Sequence, residues 1–143
     1  MDYTDGIITK FYLSIGVDNL NSFNMDYITD ALGFKLYLDN QHSKLYMSDT
    51  IQLLIIDNRL DEQLQLEEFF HMIAKFIIYH IHLRGHHLFN PCDEKQVAHL
   101  ALHLAMPQHL LDTLDCASDH LVYKLSETFK VTHKMALQRV QQL

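Results

Sequence analysis

His71 stands one helical turn before Lys75 in the stretch Glu67-Glu68-Phe69-Phe70-His71-Met72-Ile73-Ala74-Lys75. In the H-E-x-x-H helix, two imidazoles four residues apart bind Zn²⁺ from one face, and the glutamate after the first activates the metal-bound water. This stretch keeps only the first histidine. Met72 takes the place of the glutamate; it cannot accept a proton and offers at most a soft thioether. Lys75 places a cation where a neutral imidazole would donate to the metal. The residues therefore have the layout of a metal helix without its working groups, which points away from catalysis.

None of the 11 histidines is followed directly by glutamate, so the motif has not shifted in register. His80 comes about two and a half turns after His71, on the opposite face of an ideal helix. His82 and His86, and His99 and His103, are four apart and have chelating spacing. A bland reading outweighs it for both pairs: core packing for His99 and His103, and a helix end at Gly85 for the segment 82–87. Cys92 and Cys116 lack C-x-x-C spacing and read as reduced bystanders.

These residues need elements to position them. Ile7, Ile8, Phe11, Tyr12 and Ile15 recur at helical spacing and stop before Gly16. Asn24 reads as the N-cap and Gly33 as the C-cap of a second helix with Met25, Ile28 and Leu32 inward. The period then becomes that of strands: Phe34 to Leu38, Lys44 to Met47, and Ile51 to Ile56 closed by Asp57-Asn58, expected as a three-stranded antiparallel sheet. A long helix from Asp61 to Arg84 carries the defective motif. Further helices are expected over 93–105, closed by Pro107, then 108–114, 118–129 and 133–143. The fold class is α+β, mostly helical. With 143 residues, 48% of them hydrophobic, and only 4 Gly and 2 Pro, one domain over 1–143 is expected.

The net charge of −7, from 11 basic against 18 acidic residues, argues against direct nucleic-acid or anionic-membrane binding. Lys124, Lys130, Lys134 and Arg139 are the only cations grouped well enough to consider for DNA, and Glu127 interrupts them. Met1 to Asp5 lacks the pattern of a signal peptide, and the apolar run Phe76 to Leu83 is too short and histidine-rich to span a bilayer. A soluble, cytoplasmic protein is expected.

Three segments carry a resemblance to a known family: Asn24 to Phe34; Ile55 to Leu60 followed by Glu68-Phe69-Phe70-His71; and Glu94 to Pro107, an acidic residue, a small-residue helix and a closing proline. Over about residues 3–114, with 115–143 as a C-terminal helical region, the chain resembles the ImmA/IrrE family of zincin-type metallopeptidases of phages and mobile elements. The resemblance implies a zincin-like architecture, zinc held by positions 71, 75 and 94, and a base at position 72. Here those positions are His71, Lys75, Glu94 and Met72, so two match and two do not. The site is expected to be vestigial, with no catalytic residue, no metal and no cofactor.

Lys75 beside Glu94 would supply internally the positive charge that zinc supplies in an active relative, so an ion pair between them is expected. The competing placement pairs Lys75 with Glu67 or Glu68. Active members of the family, as the resemblance implies, inactivate a helix-turn-helix repressor and release an element from dormancy. A chain that keeps the scaffold and loses the chemistry is expected to keep the partner. The expected function is thus a non-catalytic regulator of a lysogeny switch, in the bacterial host cytoplasm, that binds a repressor-type protein, with Phe69, Phe70, Phe76, Tyr79 and Phe89 as candidates for part of its surface. The alternative is a divergent metallopeptidase that recruits His80, His86 or His87 as a third ligand.

Overall fold

A computed structural model describes residues 3–83, 93–115 and 119–143, the side chains of 81–83 excepted. Seven α-helices, a short 3-10 turn (Leu20–Ser22) and three strands follow among the described residues: α1 (Tyr3–Ser14), α2 (Met25–Leu32), β1 (Lys35–Asp39), β2 (Lys44–Met47), β3 (Gln52–Asp57), α3 (Glu62–Leu83), α4 (Glu94–Ala105), α5 (Gln108–Leu111), α6 (Leu121–Phe129) and α7 (His133–Val140). The architecture is α+β and mostly helical, as the periodicities indicate.

Local chemistry sets the element ends. The Asn24 side chain accepts from the Tyr27 amide, and Gly33, at φ 78°, closes α2 in the left-handed region, so both caps sit where the sequence places them. Asp93 accepts from the amides of Lys95 and Gln96 at the start of α4, and Thr132 from Met135 at the start of α7. Arg59 turns back on β3 and binds both carboxylate oxygens of Asp57 at 2.9 Å, which lowers the Asp57 pKa to about 2.

The sheet corrects one expectation: it is mixed rather than antiparallel. Its order is β1-β3-β2, with β3 parallel to β1 and antiparallel to β2. The reason lies in burial. β3 buries Leu54 and Ile56 completely and occupies the centre, whereas β1 exposes every residue but Leu36, β2 exposes alternate residues, and the two take the edges. The link 40–43 carries the chain past the end of β3. A strand spacing is about 4.8 Å, and four linking residues reach well beyond two of them. Asp39 O accepts from the Asn58 amide, and Ser43 Oγ from the Asp57 amide, each at 2.9 Å, which fixes that crossing.

α3 runs through the middle of the core. Between Phe69 and Ile78 every residue is buried except His71 and Lys75, which form a narrow open stripe on an otherwise enclosed helix. α4 lies along α3 and buries Val97, Leu100, Ala101 and Leu104. No helix among the described residues is long and apolar enough to cross a membrane.

Two glycines give opposite expectations. Gly16 has φ +83°, and a Cβ there would stand 2.5 Å from the Tyr27 hydroxyl, while Gly6 lies within α1 with nothing within 4 Å of an added Cβ. Urea denaturation is expected to show Gly16→Ala less stable by about 1–2 kcal/mol, from the left-handed backbone. Gly6→Ala should be more stable by roughly 0.5–1 kcal/mol, because alanine loses less backbone entropy in a helix.

Candidate functional site

α3 offers His71 and Lys75 through its open stripe, and Glu94 is the first residue of α4. The two helices bring His71 Nε2 to 3.5 Å from Glu94 Oε2, with the side chains 30% and 70% exposed. A contact this open and this long contributes roughly 0–1 kcal/mol to stability. Its spacing is more informative. Two ligand atoms bound at about 2.1 Å to a tetrahedral zinc stand about 3.4 Å apart, so His71 and Glu94 are separated as two such ligands would be.

The rest of the donor set does not fit a zinc centre. A catalytic zinc takes three protein ligands and a water, and the position one turn beyond His71 carries an ammonium group. Met72 is 92% buried within the core, since only 8% of it is exposed. Its side chain belongs to the packing under the stripe, so both the base and the third ligand are missing from this site. Among the described residues there is no group of three His, Cys, Asp or Glu able to hold a metal.

The expected ion pair between Lys75 and Glu94 is a correction. Glu94 meets His71 instead, and Lys75 forms no ion pair with Glu94, Glu67 or Glu68 among the described residues. The register of α4 against α3 sets Glu94 opposite the turn that carries His71, not the turn after it. Of the alternative third ligands, His80 is exposed and its ring lies 4.7 Å from that of Phe76. His86 and His87 lie outside the described residues, as do the side chain of His82 and both cysteines. Phe69, Phe70 and Phe76, candidates for a partner surface, are core residues; Tyr79 is half-exposed, and Phe89 lies outside the described residues.

The structure assembles a second polar cluster that no sequence motif marks. Asp5 of α1, His103 of α4 and Arg139 of α7 meet in the core, all fully or almost fully buried. His103 Nδ1 is 2.7 Å from Asp5 Oδ1, and an Arg139 terminal nitrogen is 3.1 Å from the same oxygen. Arg139 Nε donates to Met106 O at 2.8 Å, and Gln108 Oε1 lies 3.4 Å from the guanidinium. Next to this cluster the His99 ring lies 4.5 Å from His103, with His99 Nε2 3.5 Å from Thr4 Oγ1.

Burial lowers the His103 pKa, and the neighbouring Arg139 charge lowers it further against the opposing pull of Asp5. The ring is therefore neutral, with Nδ1–H donating to the carboxylate. An Asp–His pair is the orienting half of a nucleophilic site. This one is closed to substrate, because the side chain is wholly buried and Nε2 has no hydrogen-bonding partner. The signal for this cluster was present: each of the three charged or titratable residues takes a position on an apolar stripe, Asp5 with Ile8 and Tyr12, His103 with Leu100 and Leu104, Arg139 with Met135 and Ala136.

Arg139 is thereby removed from the cations considered for DNA. Lys130 pairs with Glu62 at 3.5 Å, and Lys124 Nζ donates to Asp115 O at 3.3 Å. The Lys130–Glu62 pair lies at a groove of about 470 Å³ lined chiefly by Phe23, Met25, Leu66, Phe70 and Phe129.

No protein-family model matches the chain, and no curated protein matches its sequence. The resemblance to the ImmA/IrrE family thus rests on the residues themselves.

Two measurements test the buried cluster. The folded state holds the His103 proton less tightly than the unfolded chain does, so the unfolded state takes up more protons as pH falls below about 6.5. Stability should be flat above neutrality and fall on acidification, with His103 contributing at most about 1.4 kcal/mol per pH unit. His103→Asn, which keeps a donor for Asp5 and does not titrate, should flatten that slope in denaturation curves between about pH 7 and pH 5. Arg139→Ala should cost about 3–5 kcal/mol, since it leaves the buried Asp5 charge without its main countercharge.

Proposed function

We propose that this chain is a non-catalytic regulatory protein, a pseudo-metallopeptidase of ImmA/IrrE type, that acts by binding a repressor-type helix-turn-helix partner and modulating a lysogeny or dormancy switch. One observation carries the reading. His71 and Glu94, on different helices, stand 3.5 Å apart at the spacing of two zinc ligands, while the third ligand position is Lys75. Such a pair is what remains when a metal site loses its ligand and base but keeps its backbone. The buried Met72 supports the same reading, because its side chain now serves packing.

A protein that has kept this scaffold without the chemistry retains surfaces, and surfaces act by contact. The partner follows from the resemblance: active members of the family act on repressors with helix-turn-helix domains. The second reading, a divergent metallopeptidase that cleaves such a repressor, draws on the same 3.5 Å spacing and requires a third ligand beyond those of this site.

The two readings separate in one set of measurements. Protein purified without a histidine tag should contain no stoichiometric zinc. Lys75→His should then bind zinc at least tenfold more tightly than the parent, because it restores the third ligand, and thermal unfolding with and without zinc should report the gain. Equal zinc affinity in parent and variant would show that positions 71, 75 and 94 do not form a former metal site. For the partner, the repressor encoded beside the gene should co-purify uncleaved on co-expression. Cleavage of that repressor by the parent protein would establish the enzyme instead.

A further inference from the structure

One face of the sheet is not covered by any described element. Leu54, Ile56, Leu36, Leu45 and Met47 turn inward to the core. The opposite face carries three rows; the last is Asp39 opposite Asp57, where Lys44 helps to lower the Asp39 pKa, and the first two hold six side chains. Across the first row lie Lys35 of β1, Leu53 of β3 and Tyr46 of β2; across the second lie Tyr37, Ile55 and Lys44. Tyr37 is 51% exposed and Tyr46 54% exposed, and none of the four aliphatic and aromatic residues packs on the core. Neither lysine takes part in an ion pair among the described residues.

The two rows repeat one pattern in opposite order, lysine–aliphatic–tyrosine and then tyrosine–aliphatic–lysine. These two rows are consequently complementary to themselves. If a second copy is laid against it about a twofold axis along the strands, Lys35 meets Tyr46, Tyr37 meets Lys44, and Leu53 and Ile55 each meet their own counterparts. A twofold axis across the strands places Lys35 over Tyr37, Lys44 over Tyr46 and Leu53 over Ile55. In either arrangement every ammonium lies over an aromatic ring, no lysine faces a lysine, and the aliphatic residues form a dry centre.

We propose that this outer sheet face is the contact surface for a second copy of the chain, forming a symmetric face-to-face dimer. Sheets stack at about 10 Å, a spacing at which side chains of this size interdigitate. Cation–π contacts strengthen as they lose water, so the four such pairs add to the burial of the aliphatic centre. The same surface on both subunits is the defining property of a twofold interface. A patch of three short strands lies at the small end of specific interfaces, so the dimer is weak and concentration-dependent. The proposal is independent of the reading of the vestigial metal site.

The same side chains could engage single-stranded nucleic acid, with bases stacked on the tyrosines. One feature favours the second copy: the centre of the face is aliphatic, whereas base stacking needs aromatic surfaces.

Sedimentation equilibrium on the full chain, from about 10 µM to about 1 mM, tests the proposal over the range where a small interface associates. The parent protein is expected to shift from monomer to dimer with rising concentration. Tyr37→Ser with Tyr46→Ser should raise the dissociation constant at least tenfold, and Lys35→Glu with Lys44→Glu should do the same. Tyr37→Phe with Tyr46→Phe should leave it within about threefold, because the ring face that receives the ammonium is kept. All four positions are exposed, and unchanged thermal unfolding of a dilute sample confirms that each variant is folded. A parent protein that stays monomeric throughout overturns the proposal, as does a serine variant that dimerises normally. Saturable binding of a labelled oligothymidylate to the parent, lost in the serine variant, assigns the face to nucleic acid and also overturns it.

Discussion

The carboxylate of Asp5 is the constraint on which the rest of this fold depends. It is nearly sealed from water, and one of its oxygens faces both the imidazole of His103 and the guanidinium of Arg139. A buried charge is tolerated only when it is paired and hydrogen-bonded, so the three helices that contribute these groups cannot separate without exposing one of them to an apolar core. Arg139 also donates to the backbone carbonyl of Met106, just where α4 ends before Pro107. The start of the chain, its middle and its last helix are thus joined at one point by polar geometry, which is directional, and not by apolar packing alone, which is not. Nearby, Tyr12 donates to Leu104 O at 2.6 Å, and burial pushes its phenol well above the ordinary range, so a second polar tie reinforces α1 against α4.

That rigidity explains how the stripe on α3 keeps its form. His71 and Lys75 are open only because the eight other residues between Phe69 and Ile78 are enclosed. A helix buried on nearly all sides cannot rotate to bring another residue into the stripe. The spacing between His71 and Glu94 is therefore set by the packing of α4 on α3, and that packing does not depend on whether the residues at the stripe can perform chemistry.

Much of the fold was legible in the sequence, and the failures have a common cause. Asn24 and Gly33 mark the ends of α2 because capping is a local matter, decided by side chain and backbone within a few residues. The three strands were visible because alternation is local too. Their order was not, since alternation tells which face of a strand is buried and says nothing of its neighbours; β3 takes the centre through the burial of Leu54 and Ile56, which only the assembled sheet displays. At the candidate site, the residue types at 71, 72 and 75 were enough to show that the stretch lacks the glutamate and second histidine of an H-E-x-x-H helix. The partner of Glu94 was not, because it depends on the register between two helices. Arg139 was grouped with surface lysines by charge, although its neighbours Met135 and Ala136 placed it on the inward stripe of α7.

The strand order also has a bearing on how the chain reaches its native state. β2 and β3 are joined by a tight connection, with Met47 opposite Gln52, so their antiparallel pairing closes a short loop. β1 comes first in the chain but pairs only with β3, Lys35 opposite Leu53, and must wait for a strand that is synthesised after it and after β2. Loop-closure entropy favours the local hairpin as the earlier event, and the parallel pairing is the later and slower one. Until β3 arrives between its neighbours, Leu36 and Leu38 have no sheet to belong to, and the nascent chain carries that unfinished edge through the interval.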